Sequence, residues 1–263
     1  MLRRHILPAL GKLPVEAVER RHAVDLHRGL SDRPVTANRA VKTLAHMYRL
    51  GEGWGLVPAS CNPCRAIEKY PERGRERFLT DAEFARLGRV LDEAVEAGTV
   101  PPQAAAAIRL LMLTGCRKGE VLALRWTDVD LGAGELRLPD AKSGPRAVQL
   151  PPPAVRLLKE LPHRAGSPFV FPGRAADGRY SAGGLDHAWH AVREAAKLED
   201  VRVHDLRHSF ASRALALGET LPVIGKLLGH NDIETTARYA HLAQDSVHEA
   251  AERIAASIAA EIL

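Results

Sequence analysis

Eight residues, Tyr70-Pro-Glu-Arg-Gly-Arg-Glu-Arg77, do most to limit the folds open to this chain. They carry charge, Pro and Gly but no apolar periodicity, so no helix or strand can run through them with a buried face. Directly behind them Thr80-Asp-Ala-Glu83 forms a capping box, with Leu79 and Phe84 placed as a hydrophobic staple. Phe84, Leu87, Leu91 and Val95 then supply the buried stripe of a helix. The chain thus reads as two folded parts, residues 1–70 and 78–263, joined by a linker at 71–77. Its 263 residues and 46% hydrophobic content suffice for two cores.

The first part reads as helical. Val41, Leu44, Ala45 and Tyr48 share one face of a helix over Ala37–Tyr48, while Arg39, Lys42 and Arg49 fall on other faces. Gly51-Glu-Gly-Trp-Gly55 is expected to end it. Residues 1–75 hold 14 Lys and Arg against 7 Asp and Glu, a net of +7, while the remainder holds 23 against 25. Concentrated positive charge suits a module that grips a polyanion through counterion release, and equally a solvated basic face.

In the second part the period shortens. Glu135-Leu-Arg-Leu138 and Ala147-Val-Gln-Leu150 alternate, with Asp140–Pro145 as the turn between them. A small antiparallel sheet should therefore carry Lys142 at its tip. From about Leu185 onward the pattern is helical again. Leu206, Phe210, Ala214 and Leu217 take one face of a helix that Gly218 ends. Leu221–Leu228 is a short helix with Pro222 in its first turn and Gly229 as its stop. The expected fold is mainly α, with a helical first domain and an α+β second domain holding the small sheet.

No apolar run reaches membrane-spanning length, and Pro8 interrupts the only stretch that could serve as a signal core. The expected compartment is the cytoplasm, with no membrane partner. Cys61-Asn-Pro-Cys64 has metal-ligand spacing, but a structural zinc site wants four ligands and no second pair exists. Two cysteines flanking a turn at Asn62-Pro63 is the plainer reading. Cys116 reads as filler of a small apolar gap.

Four short contexts concentrate chemistry: Thr-Gly-Cys-Arg-Lys-Gly-Glu (114–120), Ala-Lys-Ser-Gly-Pro-Arg (141–146), His-Asp-Leu-Arg-His (204–208) and Leu-Gly-His…Tyr (228–239). Within them stand Arg117, Lys142, His204, Arg207, His230 and Tyr239. A guanidinium fork meets two oxygens of a phosphate with fixed geometry, and two forks make a clamp. A lysine and two histidines can move protons, and a tyrosine can act as nucleophile in a strong positive field. Each residue also has an ordinary reading: a surface ion pair for either arginine, a solvated loop for Lys142, a helix-terminus histidine for His230, half-buried packing for Tyr239. His204 and Arg207, at i and i+3, project from one face of a helix start. His208 lies near that face and is the more ambiguous histidine. Glu120, one turn after Arg117, reads as an orienting group.

The order and contexts of these residues resemble the tyrosine recombinase (phage integrase) family through the C-terminal two thirds of the chain. The resemblance implies that residues 1–70 form a core-binding domain lying against DNA, here without its first helix, and that 78–263 form the catalytic domain. It implies that Tyr239 attacks a DNA phosphorus to form a 3′-phosphotyrosine, that Lys142 protonates the leaving 5′ oxygen, and that His230 donates to a non-bridging oxygen. Site-specific recombination, integrating or excising a mobile element, follows without metal or nucleotide cofactor. Ala141, where the family often has threonine, is a minor departure. The implied partners are double-stranded DNA, a tetramer of this chain on two synapsed duplexes, and a directionality factor. Two rivals use the same residues: a type IB topoisomerase that nicks and reseals, and a remnant that binds DNA but recombines poorly. After Tyr239, Val247, Ala251, Ile254, Ile258 and Ile262 share one face of a tail helix. It packs either on its own domain or, as in many integrases, on a neighbouring protomer.

Overall fold

The computed structural model describes residues 1–72, 76–139, 144–174, 178–230, 232–237, 239–240 and 254–256. The chain divides into two compact units, Met1–Arg75 and Glu76–Leu263.

The first unit opens on helical turns at Leu2–Ile6 and α1 (Leu7–Leu10), followed by α2 (Arg20–Arg28) and α3 (Pro34–Gly53). Its core joins Ile6 and Leu10 to Ala23 and Leu26 of α2 and to Val41, Leu44 and Tyr48 of α3. The Tyr48 hydroxyl donates to the Val15 carbonyl at 2.7 Å, so this buried ring keeps its polar end satisfied. Arg39, Lys42 and Arg49 are exposed. The helix ends at Gly53, inside the stretch expected to end it. A Cβ on Gly51 would come within 3.2 Å of Val57, so glycine here admits the returning loop, and beyond the C-cap at Trp54 the chain turns at Gly55, with φ +70.

Both flanks of the charged stretch are fastened by side chains. Asn38 donates to the Tyr70 carbonyl at 2.8 Å and to the Glu72 carboxylate at 2.7 Å, and the Tyr70 ring stacks on His27 at 4.2 Å. On the other flank Arg77 pairs with Glu83 at 2.6 Å and Asp200 at 2.7 Å, while the Leu79 N–H donates to Ser209 Oγ at 2.9 Å.

In the second unit the capping box forms: Thr80 Oγ1 accepts from the Glu83 N–H, and the Glu83 carboxylate accepts from the Thr80 N–H. It starts α4 (Asp81–Glu96), whose Leu87 and Leu91 are fully buried. The helix α5 (Pro102–Thr114) is apolar nearly all round and buried accordingly. Next come α6 (Lys118–Ala123) and a three-stranded antiparallel sheet, β1 (Val129–Asp130), β2 (Glu135–Leu138) and β3 (Arg146–Gln149), in the order β1-β2-β3. Leu136 pairs with Val148, and both face the core. The turn residues 140–143, with Lys142, lie outside the described residues.

The chain continues through α7 (Pro152–Glu160), α8 (Ala182–Ala195), α9 (Val203–Ala216), α10 (Leu221–Leu228) and α11 (Ile233–Ala237). Leu217 corrects the expected stripe: it is 75% exposed, because α9 ends at Ala216 and the chain turns away toward Gly218. The tail beyond Ala240 lies outside the described residues except for 254–256, which are helical and exposed.

Candidate active site

The site grows from the end of α5. Gly115 is left-handed (φ +62), and a Cβ there would stand 2.7 Å from the Phe210 ring and 3.0 Å from Leu228. Only glycine lets this turn press so closely on α9 and α10. Arg117 follows at the N-cap of α6. Its N–H donates to Glu120 Oε2 at 2.9 Å, its Nη1 to Glu120 Oε1 at 2.8 Å, and its Nη2 to the Gly229 carbonyl at 3.2 Å. Arg207, 4% exposed, donates to the Gly115 carbonyl at 2.7 Å and the Leu228 carbonyl at 2.8 Å. Two arginines far apart in sequence are thus tied to consecutive carbonyls at the end of α10.

Glu120 also holds a third guanidinium. Arg146 Nη2 lies 2.8 Å from Glu120 Oε2, and its Nη1 donates to the Leu227 carbonyl at 3.2 Å. Burial alone would push the Glu120 carboxyl up, but the donors on Arg117 and the charge of Arg146 outweigh it and hold the group below the usual carboxylate range. Arg207 moves down to about 10, through burial first and then the neighbouring Arg117 cation. At neutral pH its charge therefore sits in unfavourable surroundings that a bound anion would relieve.

Gly229 (φ +66) ends α10 and delivers His230, whose backbone N–H donates to the Gly225 carbonyl at 2.9 Å. His230 Nδ1 lies 2.8 Å from Thr236 Oγ1, which fixes the ring against α11. On α9, His204, Arg207 and His208 occupy positions i, i+3 and i+4. The His204 and His208 rings meet edge to face at 4.9 Å. His208 Nδ1 lies 2.6 Å from the Tyr239 hydroxyl. Tyr239 is 2% exposed and packs with Ala211, Ala214, Leu215, Ile224 and Leu228.

A cavity of about 230 Å³ is lined by Cys116, Lys118, Asp186, Arg202, His204 and Arg207. Cys116 is buried, and burial pushes its thiol up, consistent with filler. Among the described residues no group of three or more His, Cys, Asp or Glu could hold a metal ion. The structure therefore joins Arg117 and Arg207 through the end of α10, sets His230 beside it, and links His204 to Tyr239 through His208. Lys142 lies outside the described residues. Sequence reading passed over Arg146 and set His208 aside. Arg146 closes the same context that holds Lys142, and His208 stands one residue after Arg207, so position was the available signal for both.

A sequence model of the phage integrase family matches residues 77–246. The chain is 31% identical over 217 residues to the shufflon-specific DNA recombinase of Escherichia coli, covering 80% of this chain and 52% of that protein. It is 35% identical over 240 residues to tyrosine recombinase XerC of Xanthomonas axonopodis pv. citri (strain 306), covering 81% and 78% respectively. The fold is similar to the Tn1549 transposon integrase in complex with transposon right end DNA, with TM-score 0.73, 17% identity, and coverage of 97% of this chain and 91% of that one. It is also similar to a lambda integrase dimer bound to a core site, with TM-score 0.65, 20% identity, and coverage of 88% and 85%. The chain belongs to the phage integrase family, the tyrosine recombinases. It spans about half the length of the shufflon recombinase.

Proposed function

We propose that this chain recombines DNA at defined sites, cutting and rejoining strands through a 3′-phosphotyrosine on Tyr239. The observation that carries this reading is the attachment of Arg117 and Arg207 to the consecutive carbonyls of Gly229 and Leu228, next to His230. Donors fixed before the reaction stabilise charge without reorganising, which is what a pentavalent phosphorus with its negative non-bridging oxygens requires. In this reading both guanidiniums and His230 hold those oxygens, and His204 lines a cavity with Arg207. Lys142 protonates the departing 5′ oxygen. The covalent link keeps the energy of the phosphodiester, so a 5′ hydroxyl can reverse the step without a nucleotide.

The basic residues of the first unit, Arg39, Lys42 and Arg49 among them, would grip the DNA backbone. Lambda integrase has been solved as a tetramer bound to a Holliday junction, and a tetramer of this chain on two duplexes follows by analogy, with the tail helix docking in trans. Integration or excision of a mobile element is the role this chemistry would serve, and a directionality factor would bias it. The test uses two duplexes carrying the DNA that flanks the gene. Recombinant joints containing one arm from each duplex are expected. Relaxation of supercoiled DNA without joints would mean a nicking-closing enzyme instead.

A further inference from the structure

We infer that His208 is a further catalytic residue, the group that takes the phenolic proton of Tyr239 as attack begins; the inference rests on Tyr239 being the nucleophile. A phenol has a pKa of about 10, so only about one molecule in a thousand is ionised at neutral pH. Attack at a useful rate therefore needs a base on the oxygen. His208 Nδ1 is already there, 2.6 Å from the hydroxyl.

Water and the carboxylates of Glu120 and Asp205 are poorly suited as acceptors. Tyr239 is 2% exposed, so bulk water does not collect its proton. The Glu120 carboxylate accepts from the Arg117 N–H, Arg117 Nη1 and Arg146 Nη2, and is held below the usual carboxylate range, which makes it a weak base. The Asp205 carboxylate accepts the Arg202 N–H at 2.8 Å and caps α9. His208 has the geometry, and its neighbours on the same face of α9 are His204 and Arg207.

The step balances. The Tyr239 O–H bond breaks and its proton goes to His208 Nδ1, giving an imidazolium. The freed oxygen pair forms the bond to phosphorus, the bond from phosphorus to the 5′ oxygen breaks, and a separate acid, Lys142 in the reading above, protonates that oxygen. In rejoining, the 5′ hydroxyl attacks as its proton passes back to Lys142, the bond from phosphorus to Tyr239 breaks, and the imidazolium returns its proton to the departing Tyr239 oxygen.

The test is single-turnover adduct formation on a nicked suicide duplex by the full chain. His208→Ala is expected to slow adduct formation about 100-fold or more, with DNA binding unchanged. Added imidazoles should restore the rate in order of their basicity. A 5′-bridging phosphorothiolate, whose leaving group needs no acid, should restore nothing. His208→Gln, which keeps a hydrogen-bond acceptor toward Tyr239 without the basicity, should be as slow and should melt cooperatively like wild type. A wild-type rate in either variant overturns the inference. So does rescue by the phosphorothiolate, or rescue that follows the size of the added imidazole, which would mark His208 as packing alone. A wild-type chain that forms no Tyr239-dependent adduct would defeat the nucleophile reading first, and this inference with it.

Discussion

Glu120 and Arg146 form a buried ion pair at 2.8 Å, with side-chain exposures of 8% and 11%, and through it the start of α6 and β3 share one carboxylate. Arg117 sits on the other oxygen, and Arg146 reaches on to the Leu227 carbonyl. Removing one member leaves an uncompensated buried charge, whereas replacing both by apolar groups removes that cost. Glu120→Gln is expected to destabilise the chain by about 3 kcal/mol in urea unfolding and to slow cleavage strongly. Glu120→Gln combined with Arg146→Met should recover much of the stability but not the cleavage, because Arg117 still lacks its orienting partner. Cleavage returning with stability would show that the pair serves folding only.

Arg117 and Arg207 should behave as one unit, since they are tied to adjacent peptides. Either change to Ala is expected to slow cleavage by about 100-fold or more, and the double change should cost far less than the product of the two. Single-turnover rates of the three variants decide this. Clean multiplication would mean the two guanidiniums act on separate steps.

How much of this was legible in the sequence depends on whether local chemistry or long-range contact sets each feature. The capping box at Thr80 and Glu83, the stripe on α4, the alternation in β2 and β3 and the stop at Gly229 are local, and all are present. β1 is two residues long, too short to carry a period, and exists because β2 offers it partners. The arginines could be picked out by context, but their anchoring could not, because Gly115, Leu228 and Gly229 contribute carbonyls that any residue would supply. His208 was ambiguous for a related reason: its significance lies in a partner 31 positions away.

Gly229→Ala tests the seat of His230. The position has φ +66, and a Cβ would lie 2.5–2.8 Å from the Arg146 side chain. Backbone strain alone is expected to cost about 1 kcal/mol or more. Displacing Arg146 should in addition slow cleavage beyond what that lost stability explains. Urea unfolding and adduct rates on the same preparation separate the two effects. An unchanged cleavage rate would mean that the end of α10 tolerates movement.

Acid should expose the anchor at Arg77. The Arg77 hydrogen bonds, foremost, together with the capping contacts at Thr80, hold the Glu83 carboxyl down at about 2. A folded-state value below the unfolded one means stability that is present above about pH 4.5 and lost as pH falls toward 2. Allowing for solvent screening, the contribution is about 1 kcal/mol. Arg77→Met should lower the melting temperature at neutral pH and flatten its decline over that acid window. A parallel decline in the variant and wild type would assign the acid sensitivity to other groups.

The most direct measurement is to locate the covalent link. Trapping the chain on a nicked duplex, digesting with nuclease and trypsin, and weighing the peptides should place a 3′-nucleotide on the peptide that begins at Tyr239, residues 239–253. Tyr239→Phe should bind the duplex and yield no adduct. A nucleotide found on any other residue, or an adduct that persists in the Phe variant, would contradict the account.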